Sequence, residues 1–75
     1  MVKLSKEEQL IEFISFCIEN FKIAHGMKGK DVANLFNESK AIDFLTEGYE
    51  IIHTQGKEYI IEEIEIFLKN RGYNL

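Results

Sequence analysis

Along residues 8–22 the polar side chains Glu8, Glu12, Ser15, Glu19 and Lys22 recur at spacings of four, three, four and three. Between them lie Leu10, Ile11, Phe13, Ile14, Phe16, Cys17, Ile18 and Phe21. Spacings of three and four mark one face of a helix with about 3.6 residues per turn. The polar set is therefore a narrow wet stripe on a helix that is apolar around most of its circumference. Such a helix needs cover on several sides. The pattern predicts a long, mostly buried first helix, either central to the domain or partly covered in a dimer. Ser5-Lys6-Glu7-Glu8 has the form of a capping box at its start. After His25, Gly26 can take the left-handed position that closes it.

The pattern continues in shorter pieces. Residues 29–38 predict a second helix with Val32, Leu35 and Phe36 inward, and "NESK" reads as the connection behind it. In "AIDFLTEGYEIIH", residues 41–53, Ile42, Leu45, Tyr49 and Ile52 again stand three, four and three apart. Gly48 inside this stretch costs about 1 kcal/mol relative to alanine in a helix. The segment therefore bends there, breaks into two short helices, or meets another backbone closely. A last helix is expected from about Lys57 to Asn70, with Ile60, Ile64, Phe67 and Leu68 as its apolar stripe and Ile61 alongside. Glu58, Glu62 and Glu65 form its opposite face. Acids come early and Lys69 and Arg71 late, as the helix dipole favours, and Gly72 can close it. The fold class expected is all-α, a small compact bundle of four to five helices forming one domain over residues 1–75.

Composition agrees with this reading. Proline is absent, 45% of residues are apolar, and Glu, Lys, Ile, Leu and Phe outnumber Val and Thr. That balance favours helices over strands and excludes a disordered chain. A domain of 75 residues buries only roughly 60% of the surface its unfolded chain exposes. Self-association would hide the surplus apolar surface of Ile11, Phe13, Phe16 and Ile18, so a homodimer is one expectation. Cys17, the single cysteine, has Ile14 and Phe21 one turn either way and reads as a small, inert core residue. No leader pattern opens the chain, and its apolar runs fall far short of the ~20 residues that cross a bilayer. A cytoplasmic protein with no membrane contact is expected.

Charge sharpens the picture. Residues 1–40 carry six acids against six lysines, whereas residues 41–67 carry seven acids against Lys57 alone. Lys69 and Arg71 then bring the net charge to -4. Asp43, Glu47, Glu50, Glu58, Glu62 and Glu65 are thus a candidate acidic face for a basic protein partner, beside the plainer reading of solvated charge. Residues 29–53 can be drawn as a helix-turn-helix. Its second helix would carry Asp43, Glu47 and Glu50 and no Lys or Arg, and a phosphate backbone repels such a surface. No nucleic acid is expected to bind the monomer.

Candidate chemistry is sparse. The corner "HTQGKEY" places His53, Thr54, Gln55, Gly56 and Tyr59 between two helical patterns. Its structural reading has Thr54 capping the next helix and Gly56 adopting a conformation barred to other residues. A functional reading makes His53 a general base or pH switch, but no paired nucleophile or orienting acid stands at a supporting spacing. Two histidines far apart and one apolar-face cysteine do not supply metal ligands. Gly26-Met27-Lys28-Gly29-Lys30 lacks the spacing, closing GK[ST] and preceding strand of a phosphate loop. No metal, cofactor or catalytic residue is expected.

Three stretches carry a resemblance: "FCIE" at residues 16–19, "GKDVANLF" at 29–36, and the corner "IHTQGKEYIIEEI" at 52–64. On these the chain resembles a bacterial family of very short helical proteins known only as a domain of unknown function. The likeness covers roughly residues 10–70. Ile52 stands where that family usually has leucine, and Glu63 where it has aspartate. Members are encoded beside toxin-like proteins, some resembling ADP-ribosyltransferases. The resemblance therefore implies an antitoxin-like or accessory role; it assigns no activity to any residue. Three functions follow in order: a non-catalytic protein-interaction module, a small dimeric DNA-binding regulator, and an enzyme with its site at the His53–Tyr59 corner.

Overall fold

The computed structural model describes residues 4–74. Among them the chain forms five helices and no strand: α1 (Lys6–His25), α2 (Gly29–Ser39), α3 (Ala41–Glu47), α4 (Tyr49–Ile52) and α5 (Lys57–Asn70). The all-α bundle is as the periodicity predicts.

The ends of α1 follow from local chemistry. The Ser5 hydroxyl accepts the Glu8 amide at 3.1 Å while the Ser5 amide donates to Glu8 Oε1 at 2.9 Å. These two bonds satisfy donors that a helix start otherwise leaves open, and they hold the Glu8 carboxyl below its ordinary range. At the other end Gly26 is left-handed, φ 61, and the Met27 amide returns to the Lys22 carbonyl at 3.0 Å. That is the glycine closure expected from sequence.

Two connections differ from expectation. "NESK" is not a loop: α2 runs on through Ser39, and Lys40 alone joins it to α3. Lys40 adopts the left-handed conformation, φ 71, which serves as α2's close and α3's start at once. Ser39 is buried, and its hydroxyl accepts the Ala41 amide at 3.3 Å, so a polar-looking residue helps make the turn. At Gly48 the segment does break, into α3 and α4. A Cβ there would lie 2.7 Å from Ile52 Cδ1 and 3.2 Å from the Phe44 carbonyl oxygen. The glycine is needed for space, since its φ of -92 suits any residue.

The core takes one stripe from each element: Phe13, Cys17 and Phe21 of α1, Val32 and Phe36 of α2, Ala41 and Leu45 of α3, Ile52 of α4, and Ile60, Ile64 and Leu68 of α5. Phe21 meets Phe36 edge-on at 5.2 Å, a favoured aromatic geometry. Burial pushes the Cys17 thiol up to about 12, because the thiolate would lose its hydration. On α1 the polar stripe lies outward as expected. The cover is narrower than the helix's apolar arc: Ile14 and Ile18 are half-buried, whereas Ile11, Phe16 and Ile23 stay exposed in the single chain. Helices α2, α3 and α5 leave these three side chains only partly covered.

Candidate functional site

The exposed apolar residues Phe16 and Ile23 stand seven positions apart on α1, on the flank turned toward α4 and α5. Helices α1 and α5 run in the same sense along this flank. Phe16 shares a depression with Ile60, near the start of α5, and His25 reaches Glu65 further along, Nε2 to Oε2 at 2.7 Å. The seam between them holds two open depressions of about 310 and 300 Å³. Along α1 they follow one another, with Phe13 and Phe16 lining the first and Asn20 and Ile23 the second, whereas on α5 they share one stretch, Ile60 lining the first and Lys57 to Glu65 the second.

The first depression contains the corner singled out in the sequence. Phe13, Phe16 and Ile60 supply its apolar lining, and Glu12, His53 and Gln55 its polar lining. His53 follows α4, stacks flat on Tyr49 (4.2 Å between ring centres, 5° between planes), and sends Nδ1 to the Tyr49 carbonyl at 2.6 Å. A carbonyl only accepts, so Nδ1 carries the hydrogen and the neutral ring keeps its lone pair on Nε2. Tyr49 is itself held edge-on by Phe13 at 5.2 Å, and its hydroxyl points to Gln9 Oε1 at 3.5 Å. The histidine is thus oriented through its own backbone and a tyrosine ring.

Two expectations at this corner are corrected. Thr54 does not cap α5: its hydroxyl donates backwards to the Ile51 carbonyl at 3.0 Å, so it ties down the end of α4. Gly56 is the N-cap of α5, with no side-chain bond, and its φ of -71 and ψ of 161 are ordinary extended backbone. The glycine is therefore not required by conformation. Tyr59 is exposed on α5 and lines neither depression of the seam.

The second depression is lined by the apolar Ile23, Ala24 and Ile61 and by Lys57, Glu58, Glu62 and Glu65 of α5. Here the expected acidic face divides. Glu58, Glu62 and Glu65 gather on this seam, together with Glu12 from α1. Asp43 and Glu47 lie on the other flank of α5, beside Phe67 and Arg71, and Glu50 lines neither place. Phe67 stacks on Phe44 at 4.5 Å, and the Arg71 guanidinium sits 4.8 Å above the Phe67 ring. The opposite flank is therefore aromatic and mixed in charge, while the seam is apolar and acidic. Sequence spacing could not foresee this division, because it orders residues within a helix and not across two helices. The helical pattern of α1 did contain a signal: Phe16 and Ile23 lie at the edge of its apolar arc.

Among the described residues no group of three His, Cys, Asp or Glu is placed to hold a metal ion, and no helix is long and apolar enough to cross a membrane. Residues 12–71 match a family model described as a protein of unknown function, DUF3791. The match takes in both depressions of the seam apart from Gln9, and the chain belongs to this family. No curated protein and no solved structure matches it significantly.

Proposed function

We propose that this DUF3791 member is a non-catalytic protein-interaction module that docks a partner protein on the α1–α5 seam. The observation that carries this reading is the pair of exposed apolar residues, Phe16 at 43% and Ile23 at 69% exposure, set above open depressions and bordered by Glu12, Glu58, Glu62 and Glu65. Apolar side chains grouped in this way, with a polar rim, are the usual anatomy of a protein interface. Depressions of this size hold side chains better than a drug-sized ligand, which needs deeper enclosure. The single cysteine, buried and bonded to nothing, suits a cytoplasmic setting.

A homodimer is a second reading, supported by the exposure of Ile11 and Phe16. A two-fold pairing of seams would set acid against acid, so we place a different protein there. The resemblance to a family encoded beside toxin-like proteins makes such a protein, bound in an antitoxin-like or accessory role, the first partner to try. A DNA-binding regulator is disfavoured by Asp43 and Glu47 on α3 and Glu50 on α4, which repel phosphate. An enzyme centred on His53 would need a reacting group that the corner does not bring near it.

Affinity capture with the tagged chain in the cell that encodes it tests the reading, provided variants accompany it. A partner retained by the native chain and by Ile51→Ser, but lost by Phe16→Ser and Ile23→Ser, supports docking on the seam. A partner retained equally by all four overturns it.

A further inference from the structure

We infer that the occupant of the seam is a basic amphipathic helix of the partner. It would set apolar side chains about two turns apart into the two depressions and lysine or arginine against the acids beside them. The inference rests on the docking reading above and deepens it.

Spacing is the first argument. Phe16 and Ile23 are seven residues apart on α1, which sets these two side chains about 10.5 Å apart along its axis, one lining each depression. A helix laid along α1 repeats an apolar side chain at the same interval when residues i and i+7 share its face. The alternative form, an extended peptide, gains its affinity by pairing its backbone with a sheet edge. The described residues form no strand and so present no such edge. A helix satisfies its own backbone and needs only side-chain pockets.

Charge is the second argument. Glu65 is already engaged by His25. Glu12, Glu58 and Glu62 have no ion pair among the described residues, although they flank the depressions on both helices. Lys57 is the one cation among the residues lining the seam. An incoming apolar helix with acids at its margins would be repelled, and a neutral one would leave these carboxylates partly desolvated and unpaired. Lysine or arginine flanking the apolar pair relieves both costs.

The probe is a synthetic helical peptide of about five turns (~18 residues) with leucines on one face, including an i, i+7 pair, and lysines beside them. Two companions control it: the same composition shuffled so that the leucines share no face, and the same pattern with glutamate for lysine. Fluorescence anisotropy should show the first peptide binding at least about tenfold more tightly than the shuffled one, with no binding of the acidic one. Ile23→Ser should weaken the first peptide about tenfold, and the double substitution Glu58→Lys, Glu62→Lys by about as much. All three residues are exposed on the surface of α1 or α5, and melting curves will verify that the variants fold. Equal binding of patterned and shuffled peptides would mean charge attraction alone, and would overturn the inference, as would indifference to Ile23→Ser or no binding at all. If the peptide fails while the natural partner is still lost by Phe16→Ser and Ile23→Ser, the seam remains the docking site and only its helical occupant is wrong.

Discussion

His25 and Glu65, forty residues apart in the chain, meet through a 2.7 Å contact that fastens the end of α1 to the middle of α5. The imidazole also stacks on Phe21 at 4.2 Å, so the contact is anchored to the core on one side. It closes one end of the acidic seam, where Glu12, Glu58 and Glu62 have no ion pair among the described residues. His25→Ala should remove both the aromatic stacking and the contact, at a cost of about 1 kcal/mol. In a domain of this size that is about 4–8 °C in Tm. Glu65→Gln keeps a hydrogen-bond acceptor and should cost less. Differential scanning calorimetry on the two variants checks the order.

The break at Gly48 makes a sharper prediction. Alanine would gain helix propensity, about 1 kcal/mol, but its methyl would sit 2.7 Å from Ile52 Cδ1. Overpacking of that kind costs about 1–3 kcal/mol, so Gly48→Ala should be net destabilising. Ile52→Val deletes Cδ1, and the double variant should recover part of the loss. Additive effects of the two substitutions in denaturant titrations would show that the clash is not the cause.

At the start of α5 the sign is opposite. Gly56 has ordinary φ and nothing closer to a new Cβ than Glu58 Oε2 at 4.0 Å, and it leaves the cap without a side chain. Gly56→Asn should stabilise the protein by a few tenths of a kcal/mol to about 1 kcal/mol, by capping and by restricting the unfolded chain. Thr54→Ala should act through α4 instead, losing one exposed hydrogen bond worth about 0.5–1 kcal/mol. Thermal melts separate the two: a large loss from Gly56→Asn would restore a special backbone role for that glycine.

Cys17 is fully buried, with its thiol pushed up to about 12. At neutral pH almost no thiolate exists, and the sulfur has no route to solvent. An aromatic disulfide reagent should label the native protein far more slowly than the denatured one, at a rate set by opening of the fold. Comparable rates in both states would place the thiol at the surface and break the core assignment.

The pH dependence of the first turn follows from Glu8, whose carboxyl is held low by the Ser5 backbone amide and hydroxyl. A depressed folded-state pKa gives stability that is present above the ordinary value of 4.5 and is lost as pH falls through the folded value. Fraying of residues 5–8 should therefore set in below pH 4.5, visible in amide NMR. Ser5→Ala removes the hydroxyl but keeps the backbone amide, so it should weaken that dependence without removing it, and cost about 1 kcal/mol at neutral pH.

The helices α1 and α5 were legible in the sequence almost to the residue, because their ends carry local chemistry: a capping box, a left-handed Gly26, and acids before cations in α5. The break at Gly48 was among the outcomes the sequence left open. Lys40 was not legible, since a left-handed lysine between two helices has no compositional mark, and Ser39 looks like loop although its buried hydroxyl makes the turn. Thr54 misled for a related reason: a threonine before a helix can bond forwards or backwards, and only the fold decides. The seam lay beyond sequence reasoning because it needs Phe16 and Ile23 of α1 beside Ile60 and Ile61 of α5. Periodicity shows which residues share a helix face, and it does not show which part of that face a neighbour fails to cover.

The claim that the α1–α5 seam is the docking surface is tested most directly by NMR. The ¹⁵N-labelled chain would be titrated with the partner protein recovered by capture, with amide shifts followed residue by residue. The account predicts that the largest changes fall on Phe16, Asn20, Ile23, Lys57, Ile61 and Glu62, while Phe44, Phe67 and Arg71 on the opposite flank stay in place. Changes concentrated around Phe44, Phe67 and Arg71, with the seam silent, would contradict it.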